Sequence, residues 1–374
     1  MYSLFIFTTD LRTYDNTTLY ACKAPVIPIF VFNVDQVTKN PYKSEAAVQF
    51  MVESLVDLDK SIKNRLKYFY GKTLRIVEKI IKTFPIEGVY INKDYTPYAK
   101  KREHKLAAVC ERAKINFTCL DDYKLSTVTD YLKFTPFYNK ARKQHVRKPI
   151  KKHIKFANLR IPFELKKSEI HKFYKPQILP IKAGRTNGLK QLRDYNFSVY
   201  KKARNHPSLQ TSMLSAHLKF NTLSIREVYQ IKCSEFRRQL YWRDFYMQLY
   251  DNLAGKPRRS FAWTNSKLAF KRWKSGKTGA PIVDAAMHQL NKTHYMHGRC
   301  RMIVANYLTK VLKVHWKYGE KYFAQKLVDY DVANNNGGWQ WASGVGADYM
   351  FRTFNPVRQQ EKYDAKFEYI NKFK

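Results

Sequence analysis

The feature that most narrows the fold is a change of rhythm along the chain. Up to about residue 125, short runs rich in Ile, Val and Phe alternate with longer segments whose apolar residues recur at helical spacing. "LFIFTTD" (4–10) and "PVIPIFVFN" (25–33) read as strands. Val48, Met51, Leu55, Leu58 and Ile62 follow, spaced 3, 4, 3 and 4 apart, a stripe that would face a sheet. "TLRIVEKIIKTF" (73–84), "GVYINKD" (88–94), "YAKKREHKLAAVCERAKI" (98–115) and "NFTCL" (116–120) then repeat the helix-then-strand order. Strands separated by helices pair in parallel through crossovers. Residues 1–125 are therefore predicted to form an α/β domain with a mostly parallel, Rossmann-like sheet.

Between 126 and 185 this rhythm fails. Residues 138–182 hold fourteen Lys or Arg against two acids, with prolines at 149, 162, 176 and 180, which predicts a basic interdomain linker draped over its neighbours. From 186 to 374 the long segments "SEFRRQLYWRDFYMQLY" (234–250) and "RCRMIVANYLTKVLKVHW" (299–316) predict helices and no strands, so the second domain is expected to be all-α. A chain of 374 residues has room for two cores.

Charge points to the partner. Sixty-nine Lys and Arg against thirty Asp and Glu leave a formal charge of +39, which favours a polyanion such as nucleic acid. Neither an amphipathic basic helix nor a lipidation signal supports a membrane surface instead. The longest apolar run, residues 24–32, is too short and proline-broken to cross a bilayer, and the N-terminus "MYSLFIFTTDLR" is unlike a secretory signal. The five cysteines are scattered without a CxxC, which fits a soluble protein of a reducing, intracellular compartment.

Three local patterns lead nowhere. "KSGKT" (274–278) and "YGKT" (70–73) lack the upstream glycine of a phosphate loop, and "GVG" (344–346) is too short for a dinucleotide fingerprint. His294, His297 and Cys300 have a spacing that could place three ligands on one helix face, but no second cluster completes a site, and no metal is expected.

"FTTDLRTYDNTTL" (7–19), "TSMLSAHLKFNTLS" (211–224), "QLYWRDFY" (239–246), "TGAPIVDAAMHQL" (278–290), "YMHGRCRMIVANYL" (295–308) and "NNNGGWQWASGVGADYMFRTFNP" (334–356) occur in that order. Together they resemble the photolyase and cryptochrome family of flavoproteins, of the type that repairs cyclobutane pyrimidine dimers. The resemblance spans nearly the whole chain. It implies an α/β domain able to hold an antenna pigment (a folate or a deazaflavin), a linker, and a helical domain holding a U-shaped FAD. It also implies a monomer acting on UV-damaged DNA, with no membrane involved.

Carried over residue by residue, the resemblance places Tyr200, Thr211, Ser212, Met213, Leu214, Ser215 and Arg243 at the FAD, its diphosphate included. For the hydroxyls alone, a helix N-cap is an equal reading. Arg301, Asp329, Asp331 and Asn335 would surround the isoalloxazine, the amide of Asn335 favouring a reduced, anionic ring. Trp339, Trp316 and Trp263 would form an electron-transfer chain, although each alone could be a core residue. Trp341 and Trp242 would stack on the flipped lesion, with Arg204, Arg299 and Arg352 around it or its phosphates.

Departures from the family pattern bear on the lesion. Gln239 stands where a glutamate is usual and Gly298 where an asparagine is usual; Gln can donate an N–H but cannot supply a proton. The 6-4 photoproduct branch uses two histidines where this chain has Gly298 and Met302, so cyclobutane dimers are favoured; 6-4 repair and cryptochrome-like photoreception are the alternatives. Ala99 occupies the place of a frequent folate-binding carboxylate, and "FEYINKFK" (367–374) follows the last motif closely, which implies a shortened helical domain.

Overall fold

A computed structural model describes all 374 residues. Strands Tyr2–Phe7 (β1), Val26–Asn33 (β2), Lys67–Gly71 (β3), Ile86–Asn92 (β4) and Asn116–Leu120 (β5) form one parallel sheet in the order β3-β2-β1-β4-β5. Helices Glu45–Ser61, Thr73–Thr83 and Pro97–Arg112 make the crossovers. Central strands covered on both faces need no polar alternation, and all of β2 is buried. β3, a sheet edge in which only Tyr68 and Phe69 are buried, is not singled out in the sequence.

The stripe predicted on the first crossover helix is partly displaced. Leu55, Leu58 and Ile62 are buried, whereas Val48 and Met51 are only partly so, and Phe50 and Val52 are fully buried instead. The helix faces more than the sheet: Phe50 stacks on Phe220 at 5.5 Å between ring centroids and meets His217 edge-on at 5.2 Å. Contact with the second domain widens its apolar face.

Residues 126–185 are mostly extended but contain a helix, Phe134–Ala141, and a 3₁₀ turn, Lys167–Phe173. Beyond them only helices occur. Val332–Ser343 packs against Ser234–Leu253, Gly298–Asn306 and Trp316–Lys326. None of the helices is long and apolar enough to cross a membrane.

The single helix expected over 299–316 is broken. Gly298–Asn306 gives way to a π-helical turn at Tyr307–Val311, Lys313 takes a left-handed φ of 49°, and a new helix starts at Trp316. Buried Asn306 ties this turn down: its side chain donates to the carbonyls of Ala342 and Arg352 (3.1 Å each) and accepts from Phe354 N at 2.8 Å. Thr309 Oγ1 turns back onto Ala305 O at 2.8 Å, a side-chain bond that loosens the helical ladder.

The domains dock where the strand order reverses, at the C-terminal ends of β1 and β4. That crevice in an open α/β sheet usually takes a ligand. Here it is filled by the chain. Asp10 accepts from Asn16 Nδ2 (3.0 Å) and Asn92 Nδ2 (2.8 Å). Asp122 pairs with Arg12 and, at 2.7 Å, with Arg226, which also reaches Asp15 at 2.7 Å. Burial pushes the Asp122 carboxyl up, but the two guanidiniums outweigh it and hold it below its ordinary value.

Candidate functional site

The helical domain carries a half-open cavity. Arg301, Asp329, Asp331 and Asn335 line it together with Met302 and Trp339, so six residues assigned from the sequence converge on one space. Tyr330, Phe323, Leu327 and Ala305 supply its apolar wall and were not singled out in the sequence.

The polar groups of this wall are held from behind. Arg301 Nη2 donates to Asp329 Oδ2 at 2.8 Å and Arg301 Nε to Met296 O at 2.8 Å. Asp329 Oδ1 is buried with no partner in the chain, an acceptor left over for a ligand N–H. Asn335 donates one amide N–H to Glu320 O at 3.1 Å, and its carbonyl oxygen has no partner in the chain. Asp331 caps the Val332–Ser343 helix, accepting from Asn334 N at 2.9 Å, and also takes a hydrogen bond from Tyr95 of the first domain at 2.9 Å. Burial raises the Asp331 carboxyl, but Lys219, the Asn334 bonds and Arg243 more than offset it and leave it lowered.

The two glycines of the Asn-rich helix differ. A Cβ on Gly337 would lie 2.1 Å from Tyr246, so that glycine permits helix–helix contact. A Cβ on Gly338 would meet nothing within 4 Å, and Gly338 lines the cavity, so here the missing side chain leaves room for a ligand.

Thr211 exchanges a hydrogen bond with Tyr295 at 3.3 Å, and the Arg301 guanidinium lies 5.3 Å from that ring, which links "TSMLS" to the ion pair. Ser215 opens a short helix whose N-cap, Leu214, makes no side-chain cap bond, so the capping alternative is not realised; Met213 takes a left-handed φ of 52°. Tyr200 packs in the core, edge-on to Phe236 at 5.0 Å. Arg243 is tied into the domain junction, donating to Tyr123 O at 2.5 Å and Leu218 O at 3.3 Å.

Among the tryptophans, Trp263 meets His315 edge-on at 5.2 Å, and His315 stacks on buried Trp316 at 6.0 Å. Trp339 lies against Gly319, one turn further along the helix that Trp316 opens. Trp273, not assigned from the sequence, touches Trp339 directly with centroids 6.0 Å apart and is fully buried, its indole N–H donated to Val304 O at 3.0 Å.

The residues assigned to the lesion fall into two groups. Arg299 donates to Asn205 Oδ1 at 2.6 Å and approaches Met302 Sδ at 3.8 Å; Arg204 pairs with Glu235 at 3.5 Å, whose carbonyl accepts from Gln239 Nε2 at 3.3 Å. Through Met302 this group reaches the cavity. Gly298 is exposed at the start of the same helix as Arg299 and Met302. Trp242 lies one turn beyond Gln239 on the Ser234–Leu253 helix and flat on Phe134 at 3.6 Å, while half-buried Trp341 accepts from Met350 N at 2.8 Å beside exposed Arg352.

His294, His297 and Cys300 do not share a helix face, because a helix ends at Thr293 and the next begins at Gly298. His294 faces Lys326 O at 3.2 Å, and His297 donates from Nε2 to Ala203 O at 2.9 Å while its Nδ1 accepts from Arg299 N at 3.1 Å. Burial pushes the His297 imidazole down to about 4, so it is neutral at pH 7.

Residues 3–155 match the family model described as DNA photolyase, and residues 236–373 the one described as FAD binding domain of DNA photolyase. A deoxyribodipyrimidine photo-lyase from Synechococcus sp. is 31% identical over 420 residues, covering 99% of this chain and 87% of that protein. The crystal structure of an archaeal photolyase from Sulfolobus tokodaii with two FAD molecules matches with a TM-score of 0.94 and 40% identity, over 100% of this chain and 90% of that one. A cryptochrome from Synechocystis sp. matches with a TM-score of 0.90 over 100% of this chain and 88% of that one; at 24% identity this is a likeness of fold.

Proposed function

The chain belongs to the photolyase and cryptochrome family, and we propose that it is a light-driven lyase that repairs cyclobutane pyrimidine dimers in DNA, using reduced FAD. The observation that carries this reading is the cavity with an unpartnered buried carboxylate oxygen on Asp329, in a region that matches a photolyase FAD-binding domain. When bound there, FAD supplies the light-excited electron that opens the dimer and takes it back afterwards.

The protein's part is to hold, orient and tune. Asp329 Oδ1 would be free to accept a ring N–H, and Arg301 would supply positive charge beside the ring. Asn335 has its carbonyl oxygen free, with one amide N–H held by Glu320 O. A free acceptor suits a ring nitrogen that carries hydrogen, and an amide has no proton to give, so both properties favour the reduced, anionic state. Ser212, Ser215 and Thr211 are suited to the diphosphate. Trp263, Trp316 and Trp339 would return electrons to the cavity from outside.

On the substrate side, Trp341 and Trp242 offer ring faces for flipped bases, and Arg204, Arg299 and Arg352 offer charge to phosphates. Gln239 donates an N–H to a pyrimidine carbonyl without transferring a proton. Gly298 and Met302 provide no acid, which weighs against 6-4 photoproducts. Ala99 provides no carboxylate, which weighs against a folate antenna.

The test is illumination of the reduced protein with duplex DNA carrying one cyclobutane thymine dimer, beside a dark control and a 6-4 duplex. Restoration of intact thymines in the light, on the first substrate only, is expected. Bound flavin with no repair of either lesion would reject the proposal.

A further inference from the structure

We propose that the basic segment 131–163 is a second nucleic-acid contact, which binds the phosphates of the duplex flanking the lesion on one side. It rests on the reading that the protein binds damaged DNA and extends that reading to a surface outside the lesion pocket.

Three observations carry it. First, these 33 residues contain ten Lys or Arg and no acid. Nine of the ten are exposed, and only Arg147 is ion-paired, to Asp15. Elsewhere, surface lysines such as Lys72, Lys100 and Lys167 do find carboxylates.

Second, the segment begins at a proposed lesion residue. Phe134 lies on Trp242 with rings 6° from parallel, and Arg238 sits 5.7 Å from Phe134 and 5.4 Å from Tyr138. Arg142 covers Tyr138 at 5.3 Å. Cations interleaved with aromatic rings thus lead outward from Trp242.

Third, the backbone is anchored while the ammonium groups, apart from that of Lys152, which donates to Tyr20 O at 2.7 Å, are not. Ile150 N donates to Asp15 Oδ1 at 3.1 Å, and Val26 N to Lys155 O at 2.8 Å. A fixed extended chain with uncompensated lysines presents its charges at set positions, as a row of phosphates requires. Charge kept only for solubility needs neither the anchoring nor the exclusion of acids.

The test uses the full chain with Lys140→Gln, Lys143→Gln, Lys148→Gln and Lys151→Gln combined, all exposed positions without ion pairs. Affinity for a dimer-containing duplex is measured against salt on a short duplex and on duplexes extended by about two helical turns on one side or the other. Each lost phosphate contact lowers the slope of log affinity against log salt by about 0.9. The variant is expected to lower it by about 2 or more on one of the extended duplexes and to leave the short duplex unchanged. Equal slopes for parent and variant on every duplex would overturn the proposal. Failure of the parent to prefer damaged over undamaged DNA would instead overturn the repair reading, whatever the slopes.

Discussion

Two buried charge centres in this protein differ in whether they are closed. At the domain junction, Asp122 is saturated by Arg12, Arg226 and Thr17, and Asp15 by Arg226, Arg147 and Ser224. In the helical domain, Asp329 has one oxygen on Arg301 and the other on nothing. Both are buried carboxylates beside arginine, yet the first uses every valence to hold the chain to itself and the second leaves one facing a cavity. A buried ion pair therefore does not by itself mark a functional site, and neither does an unspent valence, since Asp244 Oδ1 is also buried without a hydrogen-bond partner; the unspent valence on a residue lining a cavity does.

The closed centre should fail first. Asp122→Ala strands two buried guanidiniums and should destabilise the protein by about 3–5 kcal/mol in denaturant unfolding. A variant as stable as the parent would remove the contrast.

His297, which bonds Ala203 O and Arg299 N, should give the next largest effect. Its native imidazole titrates at about 4, below the ordinary value of 6.5, so its contribution is complete above pH 6.5 and is lost as pH falls toward 4. The total is about 3 kcal/mol. His297→Gln should flatten the parent's loss of stability across that window, followed by unfolding midpoints from pH 7 to 4.

At the open centre, Asp329→Asn keeps shape but removes charge. Flavin affinity, read by titrating apoprotein with FAD, should fall roughly tenfold, as for loss of a charged hydrogen bond, while the unfolding midpoint moves less than for Asp122→Ala. The smallest effect is expected at Tyr95→Phe, which cuts the hydrogen bond from the first domain to Asp331; about 1 kcal/mol of stability should go, with little change in flavin affinity.

The sequence made these regions legible to different degrees. β1, β2, β4 and β5 are visible as runs between helical segments, while β3 is not, and burial is not the reason, since the other edge strand, β5, has the same length and buries none of its residues. The break after Asn306 is hidden because its cause is three hydrogen bonds to residues 36 to 48 positions away. Family motifs singled out Arg301, Asp329 and Asn335, which line one cavity. They gave no access to Tyr95, which reaches Asp331 across 236 residues, or to Trp273, whose contact with Trp339 depends on how two helices pack. The expected helix face of His294, His297 and Cys300 fails because spacing alone does not reveal a helix boundary between them.

The central claim is that the open carboxylate marks the flavin site, and a crystal structure of the protein reconstituted with FAD tests it directly. The account predicts the isoalloxazine in the cavity, with a ring N–H within hydrogen-bonding distance of Asp329 Oδ1 and Asn335 Oδ1 turned toward the ring. Flavin bound elsewhere, or an Asp329 Oδ1 still without a partner in the complex, would contradict it.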